Sequence, residues 1–436
     1  MNYAPRAGVC GGKKESFKLR VLWIVNMLLP EIAQHLGRKT GTSGTWLVDL
    51  SKRLSESEGV ELAVACVNGN EFIDEKVGNI RYFCIPGNGK TMMFYHPEIV
   101  KYWDIIEERF NPEIVHFHGT EYTHGISYLR KYKDKKKLLT IQGVIEKTSA
   151  NHWGGLPLKV LFSYRTLKEC IRFNGMIERK ILARRNVKFE REYIKDIPYG
   201  TGRTDWDKFY MQSVNPDMQY FRCNYNLREE FYSAEKWKKS ECEPYRVYVS
   251  TSAQVPMKGG HIVLKAIKLV KEKYPQAKFV FLAGKVIGSM MVPQSGYQKY
   301  ILSQIKKLGI ESNVEFIPPQ STNGVIDIML GSNVVVVPSA IENASATLRE
   351  AMHLGIPCIA SFRGGMPELI EDTRSGFLYD YTESEYLAGR IMEIFSDDDL
   401  AQRLSDNAIK AAEVWHDREK NVKDMKAVYD LIMAQE

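Results

Sequence analysis

The chain has 436 residues, more than one hydrophobic core usually serves, so we expect two or three domains. Hydrophobic residues make up 44% of the chain and charged residues 26%, which is typical of a soluble globular protein. No apolar run approaches the roughly 18 residues that a membrane-spanning helix needs, and the N-terminal segment lacks the apolar core of a signal peptide. The net charge of +7 is compatible with an anionic substrate or membrane surface and selects neither.

The first half of the chain alternates between strand-like and helix-like segments. Such alternation predicts a parallel sheet with helices on both faces. The predicted strands are Leu19–Met27, Val60–Val67, Ile114–His118 and Leu138–Gln142, and the predicted helices are Thr45–Leu54, His96–Phe110 and Gly125–Tyr132.

The second half repeats this alternation from Arg246 onward. Between the halves, Leu158–Lys195 is helical in pattern and basic, and Asn215–Glu243 is expected to hold a last strand and a linker. We therefore expect an α/β protein with two Rossmann-like domains, residues 1–235 and 245–415, that face each other across a cleft. The amphipathic segment 416–436 is expected to form a terminal helix that crosses back to the first domain.

Two glutamates follow the most apolar strand of the second half. The segment NVVVVPSAIENASATLREAMHLGIPCIAS contains a buried strand, a small-residue loop with Glu342, and a helix with Glu350. A strand that feeds a helix through such a loop presents backbone N–H groups to a phosphate. Two glutamates at this spacing are common by chance, so the functional interpretation depends on the strand, loop and helix that surround them.

This segment resembles the family 4 glycosyltransferases of the GT-B fold, whose signature is a strand, Pro-Ser, a loop, and two glutamates separated by seven residues. The resemblance covers about 248–379 and extends more weakly to HFHGTEYTHG and TIQG in the first half. It implies that Glu342 contacts the donor sugar and Glu350 the ribose of a nucleotide sugar. The donor-binding loop that it implies comprises Asn343, Ala344, Ser345, Ala346 and Thr347.

Lys258 precedes two glycines and a predicted helix in STSAQVPMKGG. A lysine held at a helix entrance can neutralise a diphosphate as a point charge, and the resemblance places Lys258 in that role. The family usually has an arginine six residues earlier, where this chain has Ser252. Either Ser252 hydrogen-bonds to the diphosphate instead, or Arg203 in GTGRTDWDKF reaches over from the first domain.

The first domain offers three further candidates near the expected cleft. His116 and His118 lie two apart on a strand and share a face, and we expect His118 to face the cleft as a catalytic group, against the alternative of a partly buried ring. Gln142 stands where many family members have a histidine, and it cannot act as a base. His152 in the next loop is a candidate replacement.

The loop GTSGTW, with Gly44, resembles the family's glycine loop over the donor phosphates, and without GxGxxG spacing it predicts no dinucleotide cofactor. The seven cysteines form no Cys-x-x-Cys pair, which argues for a reducing compartment and against structural zinc. No cofactor and no metal are expected, because Lys258 and a helix dipole fill the role of a cation. We expect a cytoplasmic protein.

The stretch Tyr164–Lys195 has ten basic and four acidic residues. Basic helices of this kind favour an anionic membrane surface, and a solvated charged face is the equal alternative. The basic residues lack an aromatic platform between them, so no nucleic-acid partner is expected.

Together with these observations, the resemblance implies a retaining glycosyltransferase. On the same resemblance we expect a nucleotide-sugar donor, with UDP as the first guess, and a glycan or lipid-linked acceptor, at the inner membrane face in cell-surface polysaccharide synthesis. Two alternatives stay open. A sugar-nucleotide epimerase of the same architecture would release free product from the donor alone, and a catalytically silent nucleotide-sugar-binding protein would not hydrolyse the donor.

Overall fold

A computed structural model describes residues 18–38, 45–251, 254–283 and 294–435 of the chain, and within these ranges two open sheets form the scaffold. The first sheet has eight strands in the order β3-β4-β2-β1-β5-β6-β7-β8, and its strands pair in parallel except for the β3–β4 hairpin at one edge. Its strands are β1 (Leu19–Ile24), β2 (Val60–Val67), β3 (Ile73–Val77), β4 (Ile80–Ile85), β5 (Ile114–His118), β6 (Lys136–Thr140), β7 (Tyr199–Gly202) and β8 (Gln219–Arg222).

Eleven α-helices precede the second sheet in the described part of the chain, and most connect or flank the strands of the first sheet. They are α1 (Pro30–His35), α2 (Thr45–Glu56), α3 (Gly89–Met93), α4 (Val100–Phe110), α5 (Ile126–Lys131), α6 (Ile145–Ala150), α7 (Leu158–Ser163), α8 (Leu167–Arg172), α9 (Met176–Asp196), α10 (Asp205–Val214) and α11 (Glu229–Ser233).

The second sheet has six parallel strands in the order β11-β10-β9-β12-β13-β14, the doubly wound order in which two strand series start from the centre. Its strands are β9 (Arg246–Val249), β10 (Lys278–Leu282), β11 (Val314–Ile317), β12 (Val334–Val337), β13 (Cys358–Ser361) and β14 (Phe377–Tyr379). The helices are α12 (Gly260–Lys273), α13 (Gly296–Leu308), α14 (Thr322–Leu330), α15 (Ala346–Leu354), α16 (Ser384–Ser396), α17 (Asp398–Trp415) and α18 (Arg418–Ala434).

The central strand β12 is buried on both faces because helices cover both sides of the sheet. All four of its valines are fully buried, and they belong to the core cluster of the second domain. A β-branched run of this kind is what a buried parallel strand requires. The alternating pattern therefore predicted the fold class correctly, and the two parallel-sheet domains are confirmed.

The last helix, α18, returns to the first sheet and is held there by buried hydrogen bonds. The Tyr429 hydroxyl accepts from Trp23 Nε1 at 2.8 Å and lies 2.7 Å from His116 Nδ1. The other ring nitrogen of His116 lies 2.5 Å from the Thr140 hydroxyl on β6. Lys136 adds three hydrogen bonds to carbonyl groups at the end of the helix. The terminal helix thus belongs to the core of the first domain, as the crossover prediction required.

Two details differ from the sequence expectations. The segment predicted as helical over 158–195 is three helices, because Pro157 precedes α7, Thr166 caps α8 in a capping box, and Gly175 precedes α9. The hairpin β3–β4 was not predicted, since the charged stretch IDEKV on the edge strand lacks an apolar alternation. In the described part of the chain, no helix has the length and apolar character to cross a membrane.

Candidate functional site

The carboxyl ends of both sheets face a shared cavity of about 340 Å³. Ligands of open parallel sheets bind at this edge, because the loops that follow the strands converge there. The cavity is lined from the first domain by Trp46, Glu121, Gln142, Gly143 and Arg203, from the connection between domains by Tyr225, Asn226, Leu227 and Arg228, and from the second domain by Ser250, Lys258, Glu342, Ala344, Ser345, Ala346, Thr347, Arg349 and Glu350.

The helix α15 begins at the cavity wall. Its N-cap is Ser345, whose side chain accepts a hydrogen bond from the Leu348 N–H at 3.4 Å. The first-turn residues Ala346 and Thr347 line the cavity, and their backbone N–H groups belong to the unpaired set that starts every helix. With the positive end of the helix dipole, this start of α15 is suited to an anion.

Two close backbone contacts fix the loops around this helix start. At Gly364, with φ of +63°, an added Cβ would lie 1.9 Å from the Glu342 carbonyl oxygen. At Gly259, with φ of +71°, an added Cβ would lie 1.6 Å from the Pro338 carbonyl oxygen. Only glycine fits either position. The loop after β12 is therefore packed between two glycine backbones.

Lys258 and Glu342 meet at the cavity as an ion pair. Gly259 follows Lys258 directly, so the contact with Pro338 brings the lysine to the end of β12. The Ser339 hydroxyl donates to Glu342 Oε1 at 2.8 Å and orients the carboxylate. The lysine side chain is 34% exposed and the glutamate side chain 18%, so both remain accessible from the cavity.

Glu350 forms a second ion pair, with Arg228 from the connection between the domains. Arg228 Nη2 donates to Glu350 Oε1 at 2.9 Å, and its Nη1 donates to the Thr322 hydroxyl at 3.0 Å. Burial raises the pKa of Glu350 above its ordinary value, and the charge of Arg228 opposes the rise. Sequence reasoning missed Arg228, because a lone arginine in a linker carries no local signal.

Two further arginines contact Tyr225, one at its ring and one at its backbone. The Arg203 guanidinium lies 4.5 Å above the ring centroid and donates to the Gln142 carbonyl oxygen at 2.9 Å. Arg349 donates to the Tyr225 carbonyl oxygen at 3.3 Å. Burial lowers the pKa of Arg349 to about 9, and the charge of Arg203 contributes to that shift.

The lining of the cavity carries more basic than acidic side chains. Its lining includes four basic residues and three carboxylates, namely Arg203, Arg228, Lys258 and Arg349 against Glu121, Glu342 and Glu350. The excess of one positive charge, together with the helix start, is suited to a ligand that is both anionic and rich in hydroxyl groups.

The predicted donor-loop residues divide into two groups. Ala344, Ser345, Ala346 and Thr347 line the cavity as expected. The Asn343 side chain instead bridges the domains, because it accepts from the Thr204 hydroxyl at 2.9 Å and donates to the Gln142 carbonyl oxygen at 3.2 Å. The predicted residues Ser252 and Gly44 lie outside the described residues.

The two predicted imidazoles lie away from the cavity. His118 is 3% exposed. Its ring centroid lies 4.3 Å from that of Trp23 and 3.8 Å from that of His116. The expected cleft-facing orientation of His118 is therefore wrong in this structure, since the face that it shares with His116 packs toward α18. His152 lines a separate small pocket beside Met176 and Tyr297, and burial lowers its pKa to about 4.

Gln142 does line the cavity, and its Nε2 donates to the Tyr225 hydroxyl at 3.0 Å. Its neighbour in the lining, Glu121, was not predicted. The Gly143 N–H donates to Glu121 Oε1 at 3.1 Å, which ties the loops after β5 and β6 together. The only local signal for Glu121 is an acidic residue three positions after the end of a buried strand.

Comparison with known proteins agrees with this architecture. Residues 232–411 match the family model described as Glycosyl transferases group 1. The chain is 27% identical over 176 residues to spore coat protein SA of Bacillus subtilis, which covers 40% of this chain and 46% of that protein. It is 30% identical over 164 residues to D-inositol 3-phosphate glycosyltransferase of Streptomyces avermitilis, covering 37% and 34%. The matched segments thus span between a third and a half of these relatives.

Solved structures resemble the chain over nearly its whole length. Sucrose-phosphate synthase from Thermosynechococcus elongatus superposes with a TM-score of 0.73 at 15% identity and covers 96% of this chain and 100% of that chain. HepE from Anabaena, in complex with UDP and glucose, has a TM-score of 0.65 at 14% identity and covers 94% and 99%. WaaG, a glycosyltransferase involved in lipopolysaccharide biosynthesis, has a TM-score of 0.63 at 14% identity and covers 95% and 100%. These likenesses show a shared two-domain fold, GT-B.

Replacing Arg228 tests the ion pair at Glu350. Arg228→Ala leaves the Glu350 carboxylate buried without its partner, so the pKa of Glu350 rises further above its ordinary value of 4.5. A carboxyl group with a raised folded-state pKa destabilises the fold as pH rises through the interval between the two values. We expect a loss of about 2 kcal/mol in the free energy of unfolding at about pH 7, because a buried charge is left unpaired.

The loss should be smaller near pH 4.5, where the unfolded-state carboxyl group is half protonated. Urea unfolding at both pH values measures it. The matched control is Arg222→Ala, whose ion pairs with Asp205 and Glu368 are half exposed and contribute less than about 1 kcal/mol. An equal loss at both pH values would contradict the assignment to Glu350.

Proposed function

Residues 232–411 of this chain form a group 1 glycosyltransferase domain within a GT-B fold, and from that premise we propose that the protein transfers a sugar from a nucleotide-diphosphate donor to an acceptor hydroxyl group. One observation carries this proposal. Lys258, Glu342, Glu350 and the open start of α15 are gathered around a single cavity at the carboxyl ends of the strands. Glu342, Glu350 and the helix start are neighbours in sequence, whereas Lys258 comes from a segment more than eighty residues earlier and reaches them only through the fold.

Stabilising the departing diphosphate is the main electrostatic task of such a reaction. Lys258 has three N–H donors, so it can hold Glu342 and a phosphate oxygen together. The N–H groups at the start of α15 supply further donors, and the helix dipole favours negative charge there. We assign the additional cation of the site to Arg203, whose guanidinium is fixed over Tyr225 at the cavity wall. On this assignment no metal ion is required.

In this proposal the two glutamates bind different parts of the donor. Glu342 orients the transferred sugar beside Lys258. Glu350 accepts from a ribose hydroxyl through Oε2, since Oε1 is occupied by Arg228. The proposed nucleotide is UDP, which is the ligand of the HepE structures that share the fold. The proposed setting is cell-surface glycan assembly, supported by the likeness to WaaG.

We propose that the anomeric configuration is retained. Gln142 cannot accept a proton, so it cannot serve as the base that a back-face attack requires. In a front-face reaction the bond between the anomeric carbon and the phosphate oxygen breaks while the acceptor oxygen bonds on the same side. The acceptor proton then passes to the departing phosphate oxygen, and holding the two substrates in place contributes much of the rate.

Product stereochemistry tests this proposal directly. With an α-linked UDP-sugar, the sugar released by slow hydrolysis or transferred to an acceptor should first appear as the α-anomer, because attack and departure share one face. Proton NMR of the early product measures it. A β-linked product would contradict retention. Release of the epimeric sugar from the donor alone, in place of the parent sugar, would favour an epimerase.

Lys258→Ala should lower kcat/KM by a factor corresponding to about 2–4 kcal/mol of lost transition-state stabilisation, the range for removing a key electrostatic donor. Gln142→Ala is the matched control, because Gln142 lines the same cavity without charge and should change turnover only modestly. Steady-state rates with excess EDTA in parallel test metal independence. A loss below about tenfold, or about 1.4 kcal/mol, would show that another cation does this work.

An exposed apolar and basic surface supports a proposal of membrane binding. Five of the eleven exposed large apolar side chains in the described part of the chain lie within 158–173, on α7, α8 and the turn after α8. Basic residues alternate with them, so the surface is complementary to an anionic bilayer in both charge and polarity. The apolar residues are Leu158, Phe162, Leu167, Ile171 and Phe173, and the basic residues are Lys159, Lys168 and Arg172.

We therefore propose anionic membrane binding through α7 and α8 rather than through charge on α9 alone. Phe162→Ser with Ile171→Ser should weaken binding to phosphatidylglycerol vesicles at least about tenfold, since each buried apolar side chain contributes about 1.5–3 kcal/mol. Salt should weaken but not abolish wild-type binding, because screening acts on charge only. The control is Phe209→Ser, equally exposed on α10. Co-sedimentation that is identical for wild type and double variant would contradict the proposal.

A further inference from the structure

Glu121 has an unusual position at the edge of the cavity. It lies in the turn after β5, and its carboxylate folds back over Gly119, where φ is +94°. An added Cβ at Gly119 would lie 2.1 Å from Glu121 Oε2. The backbone at this turn is therefore shaped to hold the carboxylate in place, and a side chain at position 119 would displace it.

The two oxygens of this carboxylate differ. Oε1 accepts from the Gly143 N–H at 3.1 Å. Oε2 is shielded from solvent and has no hydrogen-bond partner among the residues that the structure describes. A buried polar atom without a partner destabilises the fold, and a charged one does so more strongly. Because Glu121 lines the cavity, a ligand bound there could supply the donor that Oε2 lacks.

A fully buried carboxylate nearby, that of Glu190, serves as a comparison because all of its hydrogen bonds are to the protein. Glu190 is fully buried on α9, and both of its oxygens are used. Oε2 accepts from the Thr120 hydroxyl and the Ile145 N–H, and Oε1 accepts from the Glu146 N–H and the Tyr210 hydroxyl. Glu190 does not line the cavity. Glu190 is therefore a structural carboxylate with partners at both oxygens, whereas Glu121 has one oxygen without a partner among the described residues.

We propose that Glu121 is a substrate-binding residue whose Oε2 accepts a hydrogen bond from a sugar hydroxyl group in the cavity. A carboxylate repels the phosphates of a nucleotide but binds a hydroxyl donor strongly, through a charge-assisted hydrogen bond. Glu121 belongs to the first domain, whereas Lys258 and Glu342 belong to the second. With this contact, both domains would bind the sugar. The inference rests on the proposed function.

The charge of Glu121 supports this assignment. Burial raises the pKa of Glu121 to about 7, although hydrogen bonds from the backbone N–H groups of Glu121 and Gly143 oppose the rise. The charge of Glu190 adds to the rise and the charge of Arg203 opposes it. The raised pKa means that the ionised side chain destabilises the empty protein as pH rises from the ordinary 4.5 through about 7. A hydroxyl donor at Oε2 favours the ionised form, so bound sugar would relieve this destabilisation.

Glu121→Gln tests the inference because it keeps the shape of the side chain and removes its charge. We expect the melting temperature of the variant to exceed that of the wild type near pH 8 and to match it near pH 5. We expect turnover of a UDP-sugar to fall at least tenfold, while the affinity for UDP alone stays unchanged. A residue that only supports the fold would instead lose stability together with activity.

The control is Glu190→Gln, which should lower the melting temperature, because an amide nitrogen then faces backbone N–H donors. Weaker binding of UDP-glucose relative to UDP in Glu121→Gln would assign the hydroxyl to the donor sugar. Unchanged donor affinity with slower transfer would assign it to the acceptor. Full turnover in Glu121→Gln, or a lowered melting temperature, would overturn the inference. A wild-type protein that binds neither UDP nor any UDP-sugar would overturn the proposed function itself.

Discussion

The close packing of backbone around the loop after β12 is the constraint on which the site depends. Gly259 and Gly364 each approach this loop more closely than any side chain would allow. The first contact places Lys258 beside Glu342, and the second holds the loop so that α15 starts at the cavity. The Ser361 hydroxyl adds a 2.5 Å hydrogen bond to the Ser339 carbonyl oxygen from the neighbouring strand β13. A rigid loop of this kind keeps donors aimed at a ligand before it arrives, which is the condition for electrostatic preorganisation.

A second constraint comes from the way the domains meet. Thr204 and Gln142 of the first domain hold the Asn343 side chain, and the Asp205 and Trp206 N–H groups donate to Glu368. These contacts flank the cavity, so the position of one sheet relative to the other is coupled to the shape of the site. Asn343 therefore contributes to the site through domain placement, whereas its neighbours from Ala344 to Thr347 contribute through direct lining.

Local sequence carried enough information for the fold and for one half of the site. The alternating segments predicted both parallel sheets. The motif around β12 identified Glu342 and Glu350, the segment STSAQVPMKGG identified Lys258, and the three side chains line one cavity. Arg228 and Glu121 were not predicted, because they depend on contacts between distant segments, which spacing does not encode. Arg203 was a predicted candidate and lines the cavity, but its position over Tyr225 was not predicted. His118 shows the opposite error. Strand alternation correctly paired its face with that of His116, but the helix that covers this face, α18, lies some three hundred residues away, and His116 bonds to Tyr429 across 313 positions.

A structure of the protein with UDP bound tests the central claim most directly, because every assigned role depends on where the diphosphate lies. The account predicts phosphate oxygens within hydrogen-bonding distance of Lys258 Nζ and the N–H groups of Ala346 and Thr347, with a ribose hydroxyl at Glu350 Oε2. UDP bound outside this cavity, or bound within it with its diphosphate away from the start of α15, would contradict the account.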